Sequence, residues 1–184
     1  YEQAVVYFEK SFGLYPASKE TQANLLKALQ LAGRFDDACR YFEEIVELTP
    51  EFRHQAYHEF AVVLAGQNQL EHATNYFYKV LELNPQNVEA RQNLAKALAE
   101  QGQWDLAAVE CKKLLEVAPD NYVAHGVLGE IYLQEKDFDK AQLHLAEAHS
   151  LKPDQPELLD KLARVCRRLG MLSAAVEYWE KALA

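Results

Sequence analysis

The chain has 184 residues, of which 49% are hydrophobic and 26% charged, and its formal net charge is −9 at pH 7. This acidic balance disfavours general nucleic-acid binding, which usually needs a basic surplus, and no apolar run approaches the roughly 18 residues of a membrane-spanning helix. Only seven glycines and six prolines occur, which indicates long regular elements joined by short turns. Ala, Leu, Glu, Gln and Lys dominate, and these residues favour helices.

Alanine recurs along the whole chain at intervals of 34 or 35 residues. The six alanines are Ala4, Ala38, Ala73, Ala107, Ala141 and Ala175. A large apolar residue lies three residues before each alanine, and another, once replaced by Cys111, lies four residues after it. A proline follows the first five alanines at a distance of twelve residues. A fixed period of this length predicts one supersecondary unit stacked on copies of itself.

The period divides the chain into one partial unit and five further units. Residues 1–18 match only the second half of the unit, so we interpret them as the trailing helix of a truncated repeat. The further units are predicted to span residues 19–53, 54–87, 88–121, 122–155 and 156–184. The missing half-unit suggests that the segment comes from a longer protein.

Each unit is predicted to hold a leading helix, a tight turn and a trailing helix. In the first unit, Leu25, Leu26 and Leu29 form the apolar stripe of the leading helix. Five residues are predicted to line the buried face of its trailing helix: Phe35, Ala38, Phe42, Ile45 and Leu48. The proline that ends the unit stops this helix, because the residue before proline avoids the helical conformation.

Glycine marks the turn in three of the five units, at Gly33, Gly102 and Gly170. Asn68 and Lys136 stand at the turn in the second and fourth units. Asparagine tolerates the left-handed conformation next best after glycine. The turn is therefore expected to persist in all five units.

The 34-residue helix–turn–helix unit resembles the tetratricopeptide repeat, which has small residues at places 8 and 20, aromatic residues at 17 and 24, and proline at 32. The resemblance covers the whole chain. It implies an all-α fold, a right-handed superhelix (α-solenoid) of antiparallel helix pairs. It also implies that the leading helices line a concave groove, and that the usual task is to bind a peptide or a protein segment.

Few residues in the chain suggest reaction chemistry. Phosphate-binding, nucleophile-elbow and HExxH motifs are absent from the sequence. His54 and His58 have a spacing that could hold a metal from one side, but two ligands do not make a site. Three cysteines without CxxC spacing are predicted to be reduced thiols, which favours a cytoplasmic location. We expect no enzyme, metal or cofactor in this segment.

Residues at places 2, 5, 9, 12 and 13 of each unit, with place 6 beside them, are expected to face the concave groove. In the fourth unit these places are unusually apolar, and in the fifth they are strongly basic. The candidate ligand-binding residues are Lys96, Val123, Val127, Glu130, Leu133, Lys161, Arg164, Arg167 and Arg168. Such a face suits a partner segment with an apolar anchor followed by an acidic group.

Alternatives stay open for these residues. Val127 could simply pack on the next repeat, and the arginines could pair with Glu157, with Asp160 or with a further repeat. Some members of the resembled family grip the C-terminal carboxylate of heat-shock chaperones, with Lys at place 5 and Asn at place 9 of one unit. No run of units here carries that pattern, and an uninterrupted series of asparagines at place 6 is also absent.

The sequence therefore predicts a non-enzymatic scaffold that binds a protein or peptide partner, without nucleic acid and without membrane insertion. A rival interpretation is a regulatory or substrate-recruiting module of an enzyme whose catalytic domain lies outside this segment. A third is self-association, because the apolar face of residues 1–14 and the opposite end of the array could stack end to end.

Overall fold

The structure, a computed structural model, describes residues 1–153 and 155–183. Asp154 and Ala184, which fall in the predicted fourth and fifth units, lie outside the described residues. The described part contains eleven α-helices and one 3-10 turn, at Pro50–Phe52. The helices are α1 (Glu2–Leu14), α2 (Lys19–Leu31), α3 (Phe35–Leu48), α4 (Arg53–Gly66), α5 (Leu70–Leu83), α6 (Val88–Glu100), α7 (Trp104–Val117), α8 (Tyr122–Glu135), α9 (Phe138–Leu151), α10 (Pro156–Arg168) and α11 (Leu172–Leu183).

Each helix packs chiefly against its neighbours in sequence, and the leading helices α4, α6, α8 and α10 also contact one another in order. The all-α solenoid expected from the period is thus confirmed. Most hydrophobic contacts are local, and the core runs along the array instead of gathering at one centre.

Polar side chains cap four of the helices at their N-termini. Ser18, Asn87 and Asn121 accept hydrogen bonds from the backbone N–H three residues further on, at 3.3, 2.8 and 3.0 Å. Asp137 caps α9 in the same way. These bonds satisfy N–H groups that have no partner inside the helix and so help to define where each helix begins.

The turn inside each unit requires a left-handed residue. Gly33, Gly102 and Gly170 have φ angles of 73°, 73° and 78°. Asn68 and Lys136 take the same conformation, with φ of 58° and 64°. The expected persistence of the turn is confirmed, although lysine has a Cβ that makes this conformation less favourable.

Small residues lie where the two helices of a unit cross. The recurring alanines from Ala38 to Ala175 are fully or almost fully buried. On α8 the partner residue is Gly129, and a Cβ added there would lie 2.5 Å from Leu145 Cγ and 3.3 Å from the Leu145 backbone nitrogen. The α8–α9 crossing therefore has no room for a larger side chain.

One prediction for the buried face of α3 is wrong. Leu48 is 49% exposed, whereas Val46 is only 1% exposed and occupies the core. The buried stripe rises in steps of four residues, from Ala38 through Phe42 to Val46, so Leu48 points well away from it. The expectation that Cys111 and Cys166 act as small apolar core residues is confirmed, since both are buried free thiols. Burial also raises their thiol pKa values, to about 12 for Cys111.

Candidate binding groove

Five of the nine candidate residues line one cavity of about 670 Å³ between α6, α8 and the start of α10. We call this cavity the apolar groove, since its lining includes Ala99, Val123, Gly126, Val127 and Leu158. Its rim carries the charged candidates Lys96, Glu130 and Lys161. An apolar lining with a few charged rim groups is the usual composition of a binding cleft.

The other four candidates line a second cavity of about 470 Å³, which we call the arginine pocket. It lies between the end of α8, the turn before α9 and the second half of α10. Its lining residues are Leu133, Gln134, Lys136, Phe138, Arg164, Arg167 and Arg168. Four of these are cationic and none is acidic, whereas the chain as a whole is acidic.

The two cavities share one face of α8 and one face of α10. On α8, the lining residues run from Tyr122 and Val123 to Leu133 and Gln134 in steps of three or four. On α10, they run from Leu158 to Arg168 with the same spacing. Since this spacing follows one side of a helix, the apolar groove and the arginine pocket form one continuous surface.

An ion pair crosses this surface. Lys161 Nζ on α10 lies 2.5 Å from Glu130 Oε2 on α8, and about a quarter of each side chain is exposed. Lys161 is therefore already neutralised by Glu130. On the opposite rim, Lys96 lies 3.7 Å from Glu100, one turn further along α6, in a more exposed pair. Lys161 thus has its charge balanced by a close partner, whereas water screens the exposed Lys96–Glu100 pair.

Val127 is only 7% exposed and belongs to the core around α8. The alternative that it packs within the array therefore holds for most of its side chain. Val123 and Leu133 are half-buried, so each still presents apolar surface to the cavity that it lines. Gly126 contributes open space, because a Cβ added there would meet no atom within 4 Å.

The arginines keep most of their charge unbalanced. Arg164 lies 3.9 Å from Asp160 in a half-exposed pair, as one alternative expected. Within residues 1–153 and 155–183, no carboxylate oxygen lies within 4.0 Å of Lys136, Arg167 or Arg168. Arg167 instead places its guanidinium 5.8 Å from the ring centre of Trp179 on α11.

The histidines do not gather around a metal. His54 hydrogen-bonds Asn87 at 3.2 Å, and His58 lies 4.0 Å from Glu89. In the part of the chain that the structure describes, no three metal-ligating side chains come together.

His125 and His144 join α8 to α9 through an Nδ1–Nδ1 hydrogen bond of 3.1 Å. Sequence reasoning missed this pair because the two residues lie 19 positions apart on different helices. Burial, followed by the neighbouring His125, lowers the pKa of His144 below its usual value. The pair links the helices of the fourth unit, and it lies outside both cavities.

None of the described helices is both long enough and apolar enough to cross a bilayer.

The fold and its face define a class: an α-solenoid of helix pairs whose leading helices carry a groove. The sequence model of the tetratricopeptide repeat (TPR) family matches residues 64–131 and again residues 98–165. The two matches together span more than half of the chain, and the chain belongs to this family. No curated protein sequence matches this chain.

Several solved structures have a similar fold. The MamA fragment 41-end from Desulfovibrio magneticus RS-1 is 21% identical, with a TM-score of 0.70 over 89% of this chain and 92% of that one. YrrB, described as a TPR protein with an unusual peptide-binding site, is 18% identical, with a TM-score of 0.63 over 96% of this chain and 90% of that one. At these identities the similarity concerns the fold alone.

Proposed function

We propose that this chain is a non-enzymatic scaffold that binds an extended segment of a partner protein along α8 and α10. The observation that carries the proposal is the apolar groove itself, about 670 Å³ in volume and open beside Gly126. Clefts with apolar side chains and a few convergent polar groups are the usual place where proteins hold a ligand. The peptide-binding site named for YrrB, a protein of the same fold, supports the same kind of ligand.

The groove fits a side chain of the partner better than a large folded surface. Half-buried Val123 and the exposed edge of Val127 form its walls, while Gly126 leaves a gap between them. Burying one apolar side chain in such a gap contributes about 1.5–3 kcal/mol. The partner then needs only a short extended segment with one apolar anchor.

Gly126 offers a test that spares the fold. A Gly126→Leu variant places an apolar side chain in the groove, and its Cβ meets nothing within 4 Å; Gly13→Leu is a matched control on α1, where an added Cβ also meets nothing within 4 Å. Random peptides displayed on phage are selected against the wild-type chain, and binding is then measured by fluorescence anisotropy. We expect Gly126→Leu to weaken binding about tenfold or more, in line with loss of an apolar anchor, and Gly13→Leu to leave it unchanged.

Equal binding to both variants would place the peptide elsewhere on the chain. Failure to select any peptide would contradict the proposal outright. Circular dichroism spectra of the two variants should superimpose on that of the wild type, since both glycines lie in helices with open space around them.

Self-association is a second candidate, favoured by apolar side chains exposed on the outermost helices. Tyr7 and Leu14 on α1 are well exposed, as are Leu172 and Val176 on α11. Contact between α1 of one copy and α11 of the next would be heterologous and could extend into a chain of copies. Light scattering at increasing concentration should show rising mass for the wild type and constant monomer mass for Tyr7→Glu. Constant wild-type mass would exclude this candidate.

A further inference from the structure

The arginine pocket is basic in a chain that has 19 Lys and Arg residues against 28 Asp and Glu. Among the described residues, only one carboxylate lies within 4.0 Å of its four cations. That contact, between Arg164 and Asp160, is long and half-exposed. Such a pair stabilises little, because water screens it. The pocket therefore keeps a local positive charge.

Trp179 holds parts of this pocket in place. Its indole Nε1–H donates a hydrogen bond to Asp160 Oδ1 at 3.0 Å, and its ring lies against the Arg167 guanidinium. Leu133 and Phe138 add apolar walls beside the arginines. Guanidinium groups next to apolar surface are less well hydrated, so they bind carboxylates more strongly than fully exposed ones.

We propose that the arginine pocket binds acidic side chains of the same peptide whose apolar residue occupies the apolar groove. This inference rests on the proposed function and specifies its ligand: an extended acidic segment with one apolar anchor. Carboxylates suit the pocket because they can be held by two parallel hydrogen bonds from one guanidinium.

The shared face sets the spacing within that peptide. On α10, Leu158 in the apolar groove lies six residues before Arg164 and ten residues before Arg168 in the arginine pocket. Six and ten residues of α-helix span about 9 Å and about 15 Å, at roughly 1.5 Å per residue. An extended peptide advances about 3.3 Å per residue, so the acidic residues should follow the anchor by about three to five residues.

The Glu130–Lys161 pair lies on the rim of the apolar groove, one helical turn before the residues of the arginine pocket, and favours the same register. Because Glu130 repels a carboxylate and already occupies Lys161, an acidic residue near the middle of the peptide gains nothing there. The cations of the arginine pocket begin at Arg164, one turn of α10 beyond Lys161. The acidic residues of the ligand are thus directed past the ion pair to the arginine pocket.

A designed peptide series tests the inference. Each fluorescein-labelled peptide carries one Leu, a Gly/Ser spacer of one to eight residues and a Glu-Glu pair, and its C-terminus is amidated to remove the free carboxylate. Fluorescence anisotropy should show the tightest binding when the first Glu follows Leu by about three or four residues, so that the Glu-Glu pair reaches the cations between Arg164 and Arg168. Replacing Glu-Glu by Gln-Gln should weaken binding at least about tenfold.

The variant Arg164→Glu, Arg168→Glu should weaken the best peptide by at least about tenfold. The matched control is Lys10→Glu, Lys112→Glu, which changes the net charge equally at exposed positions on α1 and α7, and it should bind like the wild type. The four substituted side chains, Arg164, Arg168, Lys10 and Lys112, are all exposed. The circular dichroism spectra of both variants should therefore match that of the wild type.

Three results would overturn the inference. If the Gln-Gln peptide binds as well as the Glu-Glu peptide, the pocket does not read acidic residues, although loss of binding in Gly126→Leu would keep the proposed function intact. If binding depends neither on the spacer nor on Leu, the arginines attract any polyanion. If no peptide of the series binds while phage-selected peptides still do, the inferred combination of one apolar anchor and spaced acidic residues is wrong, and the proposed function stands.

Discussion

The joint between α3, α4 and α5 differs sharply from the surface between α8 and α10. In the first, Phe42 stacks on Phe60 with ring centres 3.9 Å apart, and Tyr76 meets both rings edge-on. Tyr57 closes the cluster, and all four rings are buried. We call this cluster the aromatic joint. Between α8 and α10, small residues leave the apolar groove, and an ion pair bridges the gap.

The difference teaches that one repeated unit can build either a filled joint or a groove. Where large rings meet, packing is complete and a ligand has no room. Gly126 and Val123 lie on a different face of their leading helix from the one that carries Tyr57 and Phe60 in α4, and on that face a concavity is left. Stability should therefore concentrate in the aromatic joint, and binding should concentrate at α8 and α10.

The largest expected effect is on the aromatic joint. Phe42→Ala removes a buried ring and its stacking contact with Phe60, and should lower the free energy of unfolding by about 3–5 kcal/mol. Val123→Ala, in the half-buried wall of the groove, should cost no more than about 1 kcal/mol. Urea unfolding followed by circular dichroism measures both. Similar losses of stability at the two sites would contradict the expectation that stability is concentrated in the aromatic joint.

Next come the ion pairs. Arg91 on α6 and Glu110 on α7 form a nearly buried pair, and Arg91 also donates to the Pro85 carbonyl at 2.6 Å. Arg91→Ala should cost about 3 kcal/mol, the low end for a broken buried pair, since Lys113 still lies 2.8 Å from Glu110. Lys161→Ala should cost about 1 kcal/mol or less, because water screens the Glu130–Lys161 pair. An equal loss of stability in both variants would show that burial does not decide how much each ion pair contributes.

Two glycines on α8 give the sharpest matched pair. Gly129→Ala drives a methyl group into Leu145 and should destabilise the chain by about 1–3 kcal/mol. Gly126→Ala meets open space and should stabilise the helix by about 1 kcal/mol. The unfolding midpoints should shift in opposite directions. A shift in the same direction would mean that the α8–α9 crossing can relax.

Lys136 carries a smaller cost in the turn beside the arginine pocket. Lys136→Gly removes the Cβ that disfavours its left-handed conformation, and should stabilise the chain by about 1 kcal/mol. Gly33→Ala would have the opposite effect, because Gly33 holds the same conformation. Thermal unfolding of the two variants measures the difference, and a destabilised Lys136→Gly would show that the lysine side chain makes a compensating contact.

The smallest effect should appear on acidification. The pKa of His144 is lowered by burial and then by His125, from an ordinary value of 6.5. The unfolded chain therefore binds more protons than the folded chain below about that pH, so stability is full above 6.5 and declines as the pH falls below it. His144→Gln should lose this part of the pH dependence in urea unfolding between neutral and mildly acidic pH. An unchanged pH profile would contradict the assignment.

The helix pairs were predictable because their packing is local in sequence. The alanine period, the turn residues and the proline stops all act within one unit, and the described helices follow them. The prediction for Leu48 was wrong because it continued the apolar pattern three residues beyond Ile45, whereas the buried stripe continues at Val46. Periodicity also predicted which residues lie on the inner face of α8 and α10, since a helical face is a matter of spacing.

The sequence by itself determined the family, the all-α solenoid and the residues that share one inner face. Tertiary structure alone decided how those residues are used. It joined Glu130 to Lys161 across 31 positions, buried Val127, and divided the nine candidates between a groove and a basic pocket. The physical reason is that near neighbours along the chain decide whether a segment forms a helix and which of its residues share a face. Cavities and ion pairs depend instead on distances between helices, which no single repeat contains.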